Sequence, residues 1–391
     1  MADKLRVGLI GYKFMGRAHT NAWSQAPRFF DLPMDVECSV VCGRDEQAVG
    51  EFAKEWGWAE AETDWRKVVE RDDIDVVDVS LPQALHHDVA VAAMENGKHV
   101  FCEKPMANSL ADAANMRDVA HKTGVVHYVN HNYRRCPAVS LARQMIDEGL
   151  VGRIFHWRGA YQQDWIVDPD FPITWHLQKE HAGSGPHGDL NSHSVDLAHY
   201  LVGDITNVSC LTKSFITERP VVEGNLGTFS TSRAGGETKM GKVTVEDASI
   251  MNVEFDNGAV GTFEATRFAP GRKNHNCFEI YGSEGSICFD LERMNELEYF
   301  SRNDPENAQG FRRIIATESC HPYVGQWWPP GHIIGYEHGF VHAVADVVKA
   351  VAGGDPIRPN FDDGLRTIAV LDAGLKSAAE ESRRIAVEVP S

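Results

Sequence analysis

The segment Val7-Gly8-Leu9-Ile10-Gly11-Tyr12-Lys13-Phe14-Met15-Gly16-Arg17-Ala18-His19 constrains the fold more than any other stretch of this chain. A β-branched run enters a turn with glycine at 11 and 16, and a helical pattern follows. A strand that passes directly into a helix needs this: a tight turn at the first glycine and close helix–strand packing at the last. The alternation continues through the first 130 residues. Apolar runs at 7–10, 36–42, 76–81, 100–101 and 125–129 are interleaved with helical patterns at 45–56, 84–96 and 110–122. Gly57, Gly97 and Gly124 stand where those helices should stop. Strands alternating with helices predict parallel βαβ units, hence an α/β domain with a doubly wound sheet over residues 1–131.

The rhythm then changes. Residues 137–148 read as an amphipathic helix stopped by Gly149, 153–161 as a strand, and 189–201 as a helix. Between 206 and 300 the pattern is antiparallel. Asp256-Asn257-Gly258 joins runs 248–255 and 259–267, and Gly282-Ser283-Glu284-Gly285 joins 278–281 to 286–290, both as hairpins. Helical patterns return at 337–352 and 362–382. The second domain, 132–391, is therefore expected to be α+β with one large, mainly antiparallel sheet, and two domains suit 391 residues. Segments 219–245 and 317–335 fit no regular pattern and read as long loops.

Thirty-eight Lys and Arg against 56 Asp and Glu give a net charge of −18, which argues against nucleic-acid and anionic-membrane partners. No apolar run is long enough to span a bilayer, and the start lacks a signal-peptide pattern. Eight scattered cysteines without a CxxC pair read as free thiols, so a cytoplasmic location is expected.

Several residues carry chemistry. Amides at a helix start behind Gly11 and Gly16 suit a pyrophosphate, although Lys13 takes the place of the usual middle glycine. The second strand ends in Gly43-Arg44-Asp45. Arg44 favours the 2′-phosphate of NADP, while Asp45 keeps the ribose of NAD open. Asp189 and His193 are spaced i, i+4, so one helix face would let a carboxylate orient an imidazole base. Lys104 follows a strand end, where an ammonium would favour an alkoxide-like transition state. Tyr161, Trp165, Trp175 and Arg134 offer the aromatic and polar surfaces that sugars require. His187 lies close to Asp189 and is taken as a substrate residue. His176, His181, His187, His193 and His199 invite a metal, but their spacing matches no ligand pattern, so none is expected.

The sequence Leu81-Pro82, then His86, then Glu103-Lys104-Pro105 resembles the Glu-Lys-Pro signature of the Gfo/Idh/MocA oxidoreductase family. The glycine turn, this motif and the 189–193 segment fall in that family's order. Asn132-Tyr133-Arg134-Arg135, Tyr161-Gln162-Gln163-Asp164-Trp165 and Gly183-Ser184-Gly185 are similar, more narrowly, to its levoglucosan and inositol dehydrogenase branch. The resemblance implies a Rossmann domain followed by a sheet domain, NAD or NADP as cofactor, a sugar or cyclitol substrate, and a homodimer or homotetramer. It implies a Lys104, Asp189 and His193 catalytic trio. It places cofactor contacts at Gly11, Lys13, Phe14, Met15, Gly16, Arg44, Pro82, His86, Glu103 and Lys104, and substrate contacts also at Tyr133 and Gln163. Either Lys104 or His193 takes the proton. The family also contains members that use retained NAD to cleave glycosides, which is the alternative activity.

Overall fold

The computed structural model describes residues 4–222 and 239–390. By contacts the chain forms two compact units, Met1–Ser140 with Thr317–Leu365, and Leu141–Ala316 with Arg366–Ser391.

In the first unit β1 (Lys4–Ile10), α1 (Phe14–Phe29), β2 (Asp35–Cys42), α2 (Glu46–Trp56), β3 (Glu60–Glu62), α3 (Trp65–Glu70), β4 (Val76–Val79), α4 (His86–Glu95), β5 (His99–Cys102), α5 (Leu110–Thr123) and β6 (His127–Val129) follow in turn. The strands order 3-2-1-4-5-6, all parallel. The order reverses between β1 and β4, and open sheets of this kind take ligands at the carboxyl ends of the strands beside that reversal. Asp45 and Ser109 cap α2 and α5 by accepting from Ala48 N and Asp112 N at 3.0 and 3.1 Å. Gly57 and Gly124 end the same helices in the left-handed conformation, at φ 78° and 69°. Strand β3 escaped the sequence pattern because Glu60-Ala61-Glu62 is a short, acidic, exposed edge.

Two segments expected in the second domain pack with this unit: 132–140 and 317–365. The reason is α10 (His338–Val351). It carries Phe340, Val341, Val344, Val347 and Val348, all buried, and it packs on α1 beside Ala22 and Ala26. The 317–335 segment is anchored by Trp327, whose indole N–H donates to His342 Nε2 at 2.7 Å and whose ring lies 4.3 Å from Phe29.

The second unit is built on a sheet of β7 (Ile154–Gln162), β8 (Ile205–Lys213), β11 (Ala248–Phe255), β12 (Val260–Thr266), β13 (His275–Gly282), β14 (Gly285–Asp290), β15 (Glu296–Ser301), β16 (Arg312–Ile315) and β17 (Ile385–Ala386). Its order is 16-15-14-13-7-12-11-8-17, antiparallel except for the β7–β12 pair. A small ribbon, β9 (Glu218–Pro220) with β10 (Met240–Lys242), brackets residues 223–238, which lie outside the described residues, as does most of the 219–245 loop. Alternating burial along β11 and β14 leaves one sheet face covered. Trp157, Phe263, Phe278 and Phe289 fill that side, with Trp157 and Phe278 stacked at 5.2 Å.

The expected helix at 189–201 is two pieces, α8 (Pro186–Asp189) and α9 (Asn191–Leu201), joined through Leu190. Remaining helices are α6 (Pro137–Asp147), α7 (Lys179–Ala182) and α11 (Phe361–Ala379). Among the described residues no helix is long and apolar enough to cross a membrane, and all eight cysteines are free.

Candidate active site

The glycine turn has the geometry its residues require. Gly11 sits at φ 108°, and a Cβ there would lie 2.3 Å from the Ser80 carbonyl oxygen; at Gly16 it would lie 2.2 Å from the Gly11 carbonyl oxygen. Only glycine allows both the turn and the approach of α1 to the sheet. Helix α1 has no side-chain cap and no acidic residue in its first turn, so its positive end suits an anion such as a dinucleotide phosphate. Lys13 occupies the cap position and is exposed, with Nζ 4.9 Å from the Tyr12 ring centroid. Phe14 is exposed, Met15 packs on the core and Gly16 is buried. Arg44 is exposed at the end of β2, and Asp45 is engaged as the α2 cap. The Tyr12 ring fills the space over Gly43, where a Cβ would meet it at 2.1 Å.

His86 is buried, with ring nitrogens facing the carbonyls of Pro105 at 3.0 Å and Leu81 at 2.8 Å, so it braces the Leu81-Pro82 turn against the Lys104 segment. Burial holds its pKa below the ordinary value. Glu103, expected among the cofactor residues, is buried beneath this face. Its carboxylate accepts from His19, Asn130 and the Lys104 amide. Tyr133 and Arg134 belong to the first unit and are buried; the Arg134 guanidinium lies 3.6 Å from Asp363.

In the second unit several expected substrate residues converge with two that the sequence reading missed. Tyr161 Oη and Gln163 Nε2 both donate to Asn274 Oδ1, at 2.7 and 3.1 Å, and Trp165 Nε1 donates to Gln163 Oε1 at 2.8 Å. The Tyr161 and His193 rings lie 5.9 Å apart. Arg267 is buried, donates to Asp189 Oδ2, and lies over the Trp165 ring at 5.1 Å. Trp175 stacks on His176, which meets Trp165 edge-on at 5.9 Å. Hydroxyl and amide groups beside indole faces are what a polyhydroxylated ring with C–H faces needs.

Two features, one of α9 and one of α8, support a functional surface. Ser192, His193, Ser194 and Asp196 are all buried on one helix, a costly arrangement unless their polar groups are used. Gly185 passes so close to the Glu246 carbonyl oxygen that a Cβ would sit 2.0 Å away, and Glu246 Oε1 accepts from His187 N at 2.9 Å, which fixes where α8 starts. His187 is fully buried. Its ring nitrogens face Ser249 Oγ and the Leu371 carbonyl, each at 2.8 Å, so its ring locks α8 to the sheet. His176, His187 and His193 thus stand in separate settings. Among the described residues the metal-capable group is His275, Asp290 and Glu292. There Glu292 accepts from the Lys273 and Asn274 amides, and Asp290 from the Glu292 amide.

Arg267 lies just after β12 and Asn274 just before β13, far in sequence from the residues they serve, and nothing local marks them. His19 and Asp78 did leave a signal: Asp78 interrupts an apolar central strand, and His19 sits on the inward face of α1.

The parallel sheet, glycine turn and uncapped α1 define a dinucleotide-binding domain. Residues 5–131 match the oxidoreductase family with an NAD-binding Rossmann fold, and 139–288 match the GFO/IDH/MocA C-terminal domain. The chain belongs to the Gfo/Idh/MocA family and takes a nicotinamide dinucleotide, NAD or NADP. It is 42% identical to levoglucosan dehydrogenase of Pseudarthrobacter phenanthrenivorans over 97% of each chain. It is 32% identical to scyllo-inositol 2-dehydrogenase of Bacillus subtilis over 77% of this chain and 78% of that one. A crystal structure of an oxidoreductase domain protein from Kribbella flavida superposes with a TM-score of 0.93 at 47% identity, covering 99% and 100% of the two chains. A levoglucosan dehydrogenase complex with NADH gives 0.93 at 40%, over the same shares.

Proposed function

We propose that this protein is an NAD(P)-dependent dehydrogenase that moves hydride between the nicotinamide and a ring carbinol of a sugar, anhydrosugar, glycoside or cyclitol. The observation that carries the proposal is the second unit's polar–aromatic cluster: Tyr161, Gln163, Trp165 and Asn274 joined by hydrogen bonds, with His193 beside Tyr161 and Arg267 holding Asp189. When bound, the nicotinamide supplies the hydride acceptor or donor. Gly11, Lys13 and Gly16 hold its phosphates, and Arg44 contacts the adenosine ribose or its 2′-phosphate. Lys104 donates to the reacting oxygen, Asp189 orients His193, and His193 or Lys104 takes the hydroxyl proton. Trp165 and Trp175 pack against the ring's C–H face. His187 and Glu103 act behind that surface.

The named relatives are dehydrogenases, which favours net hydride transfer over redox-assisted glycoside cleavage, and levoglucosan dehydrogenase favours an anhydrosugar. Nicotinamide absorbance over a panel of anhydrosugars, pyranosides and inositols, with NAD and NADP, tests this. Turnover by the native enzyme and its loss in Lys104→Ala are expected; a silent panel, or full activity after the substitution, overturns it.

We place the sheet unit, the part of the expected domain 132–391 that spans Leu141–Ala316 with Arg366–Ser391, as the substrate and oligomerisation region of a cytoplasmic homo-oligomer. Leu211 and Ile250 support this, as exposed partners directly opposite on β8 and β11, and a monomer in light scattering refutes it.

A further inference from the structure

We propose that His19 is a positioning residue of the active face: a buried imidazolium shared by Asp78 and Glu103 that couples the helix behind the glycine turn to the backbone of Lys104. The proposal rests on the role given to Lys104 above, and it assigns Glu103 to positioning rather than cofactor contact.

The geometry carries it. His19 is fully buried on α1, one turn past Gly16. Its Nδ1 lies 2.8 and 3.0 Å from the two Asp78 oxygens, and its Nε2 lies 2.9 Å from Glu103 Oε1. A neutral imidazole carries one N–H, so one of these nitrogens would turn a lone pair toward a carboxylate oxygen; only the doubly protonated ring donates to both. The carboxylates are then completed by fixed donors. Trp23 Nε1 and Ser80 Oγ donate to Asp78 at 2.7 and 3.2 Å. Asn130 Nδ2 donates to Glu103 Oε1 at 2.6 Å, and the Lys104 amide to Glu103 Oε2 at 3.1 Å. Phe101 and Phe340 flank the imidazole at 5.0 and 5.5 Å.

The charged and titratable groups facing this cluster are few. Asp78 comes from β4, Glu103 follows β5, and Lys104 acts on Glu103 through its charge. The Cys38 and Cys102 thiols, on β2 and β5, feel Asp78 and are pushed up by burial, so they stay neutral. Burial opposes a charge on His19, but Asp78 and then Glu103 override it and raise its pKa to about 10. The ends of β4, β5 and β6 are thereby tied through one ring to the helix that begins at the glycine turn. A shift of Glu103 moves the Lys104 backbone with it, and misplacement of a reacting group by about 1 Å can cost about 100-fold in rate.

The test uses the full chain with three variants: His19→Gln, Glu103→Gln and the double variant. Nitrogen NMR of labelled histidine in the native protein, assigned by the resonance lost in His19→Gln, should show both His19 nitrogens protonated at pH 8. Titration with NADH alone measures cofactor affinity without any sugar. In steady state each single variant should lose about 100-fold in kcat with a smaller change in the sugar KM. The double variant, whose two amides can hydrogen-bond to each other between Asp78 and the Lys104 amide, should lose no more than either single one, because one network is broken in all three. A neutral His19 at pH 8, single variants within threefold of native kcat, or losses that multiply in the double variant would each overturn the proposal. If His19→Gln does not fold, the His19 resonance is assigned instead by its shift in Glu103→Gln, whose carboxylate lies 2.9 Å from Nε2, and the native NMR and the Glu103→Gln kinetics still decide. A native enzyme inert on every sugar refutes the functional reading instead, and the NMR result stands apart from it.

Discussion

Replacing Arg267 with methionine separates the work of a buried ion pair from its contribution to folding. The guanidinium is 1% exposed, pairs with Asp189 at 28% exposure, and leaves Nε and Nη1 without hydrogen-bond partners among the described residues. Breaking a fully buried pair costs about 3–5 kcal/mol, and the partial exposure of Asp189 brings that to about 2. Loss of the contact with Trp165 adds about 1. Against this, each unsatisfied buried donor removed returns about 1–3 kcal/mol. The methionine side chain also fills much of the vacated space with apolar atoms. The net change should lie between about 1 kcal/mol of destabilisation and about 3 of stabilisation, so Tm should fall by no more than a few degrees for a domain of this size. Activity should not follow stability. Without its cation Asp189 loses the charge-assisted bond that helps aim it, and kcat/KM should fall about 100-fold, or about 2.7 kcal/mol of transition-state stabilisation. Scanning calorimetry and steady-state assays on Arg267→Met and Arg267→Lys measure both, with the lysine variant intermediate because it keeps the charge and lacks the planar fork. A variant that keeps kcat/KM within threefold while melting far below native would show that Arg267 serves packing alone.

Two further outcomes are expected. Gly16→Ala places a Cβ 2.2 Å from the Gly11 carbonyl oxygen, so α1 must shift; NADH affinity should drop at least tenfold by fluorescence titration, and native affinity would refute the assignment of this turn. The folded pKa of His19 near 10 lies above its ordinary value of 6.5, so its stabilisation is complete below about pH 6.5 and is lost as pH rises through 10. Native Tm should therefore fall between pH 8 and 10.5 more steeply than that of His19→Gln, and parallel curves would contradict the charged imidazole.

Much of this molecule was legible in its residues because local chemistry dictates local form. Gly11 and Gly16 require a strand–turn–helix, Gly57 and Gly124 end helices where left-handed backbone is needed, and Asp256-Asn257-Gly258 closes a hairpin. Glu103-Lys104-Pro105 and the 189–193 segment carried the family and the proposed chemistry. Tertiary structure decided what no local pattern encodes. Helix α10 joins the first unit because its largely apolar surface needs α1 to cover it. The His187 ring is spent on Ser249 and Leu371 rather than presented to a ligand. Arg267 reaches Asp189 across 78 residues, and His19 reaches Glu103 across 84. Charges so far apart in sequence meet only because the sheets hold Glu103 and Arg267 at strand ends against the helices that carry His19 and Asp189, and once buried they must find each other, since in a low-dielectric interior a lone charge is too costly to keep.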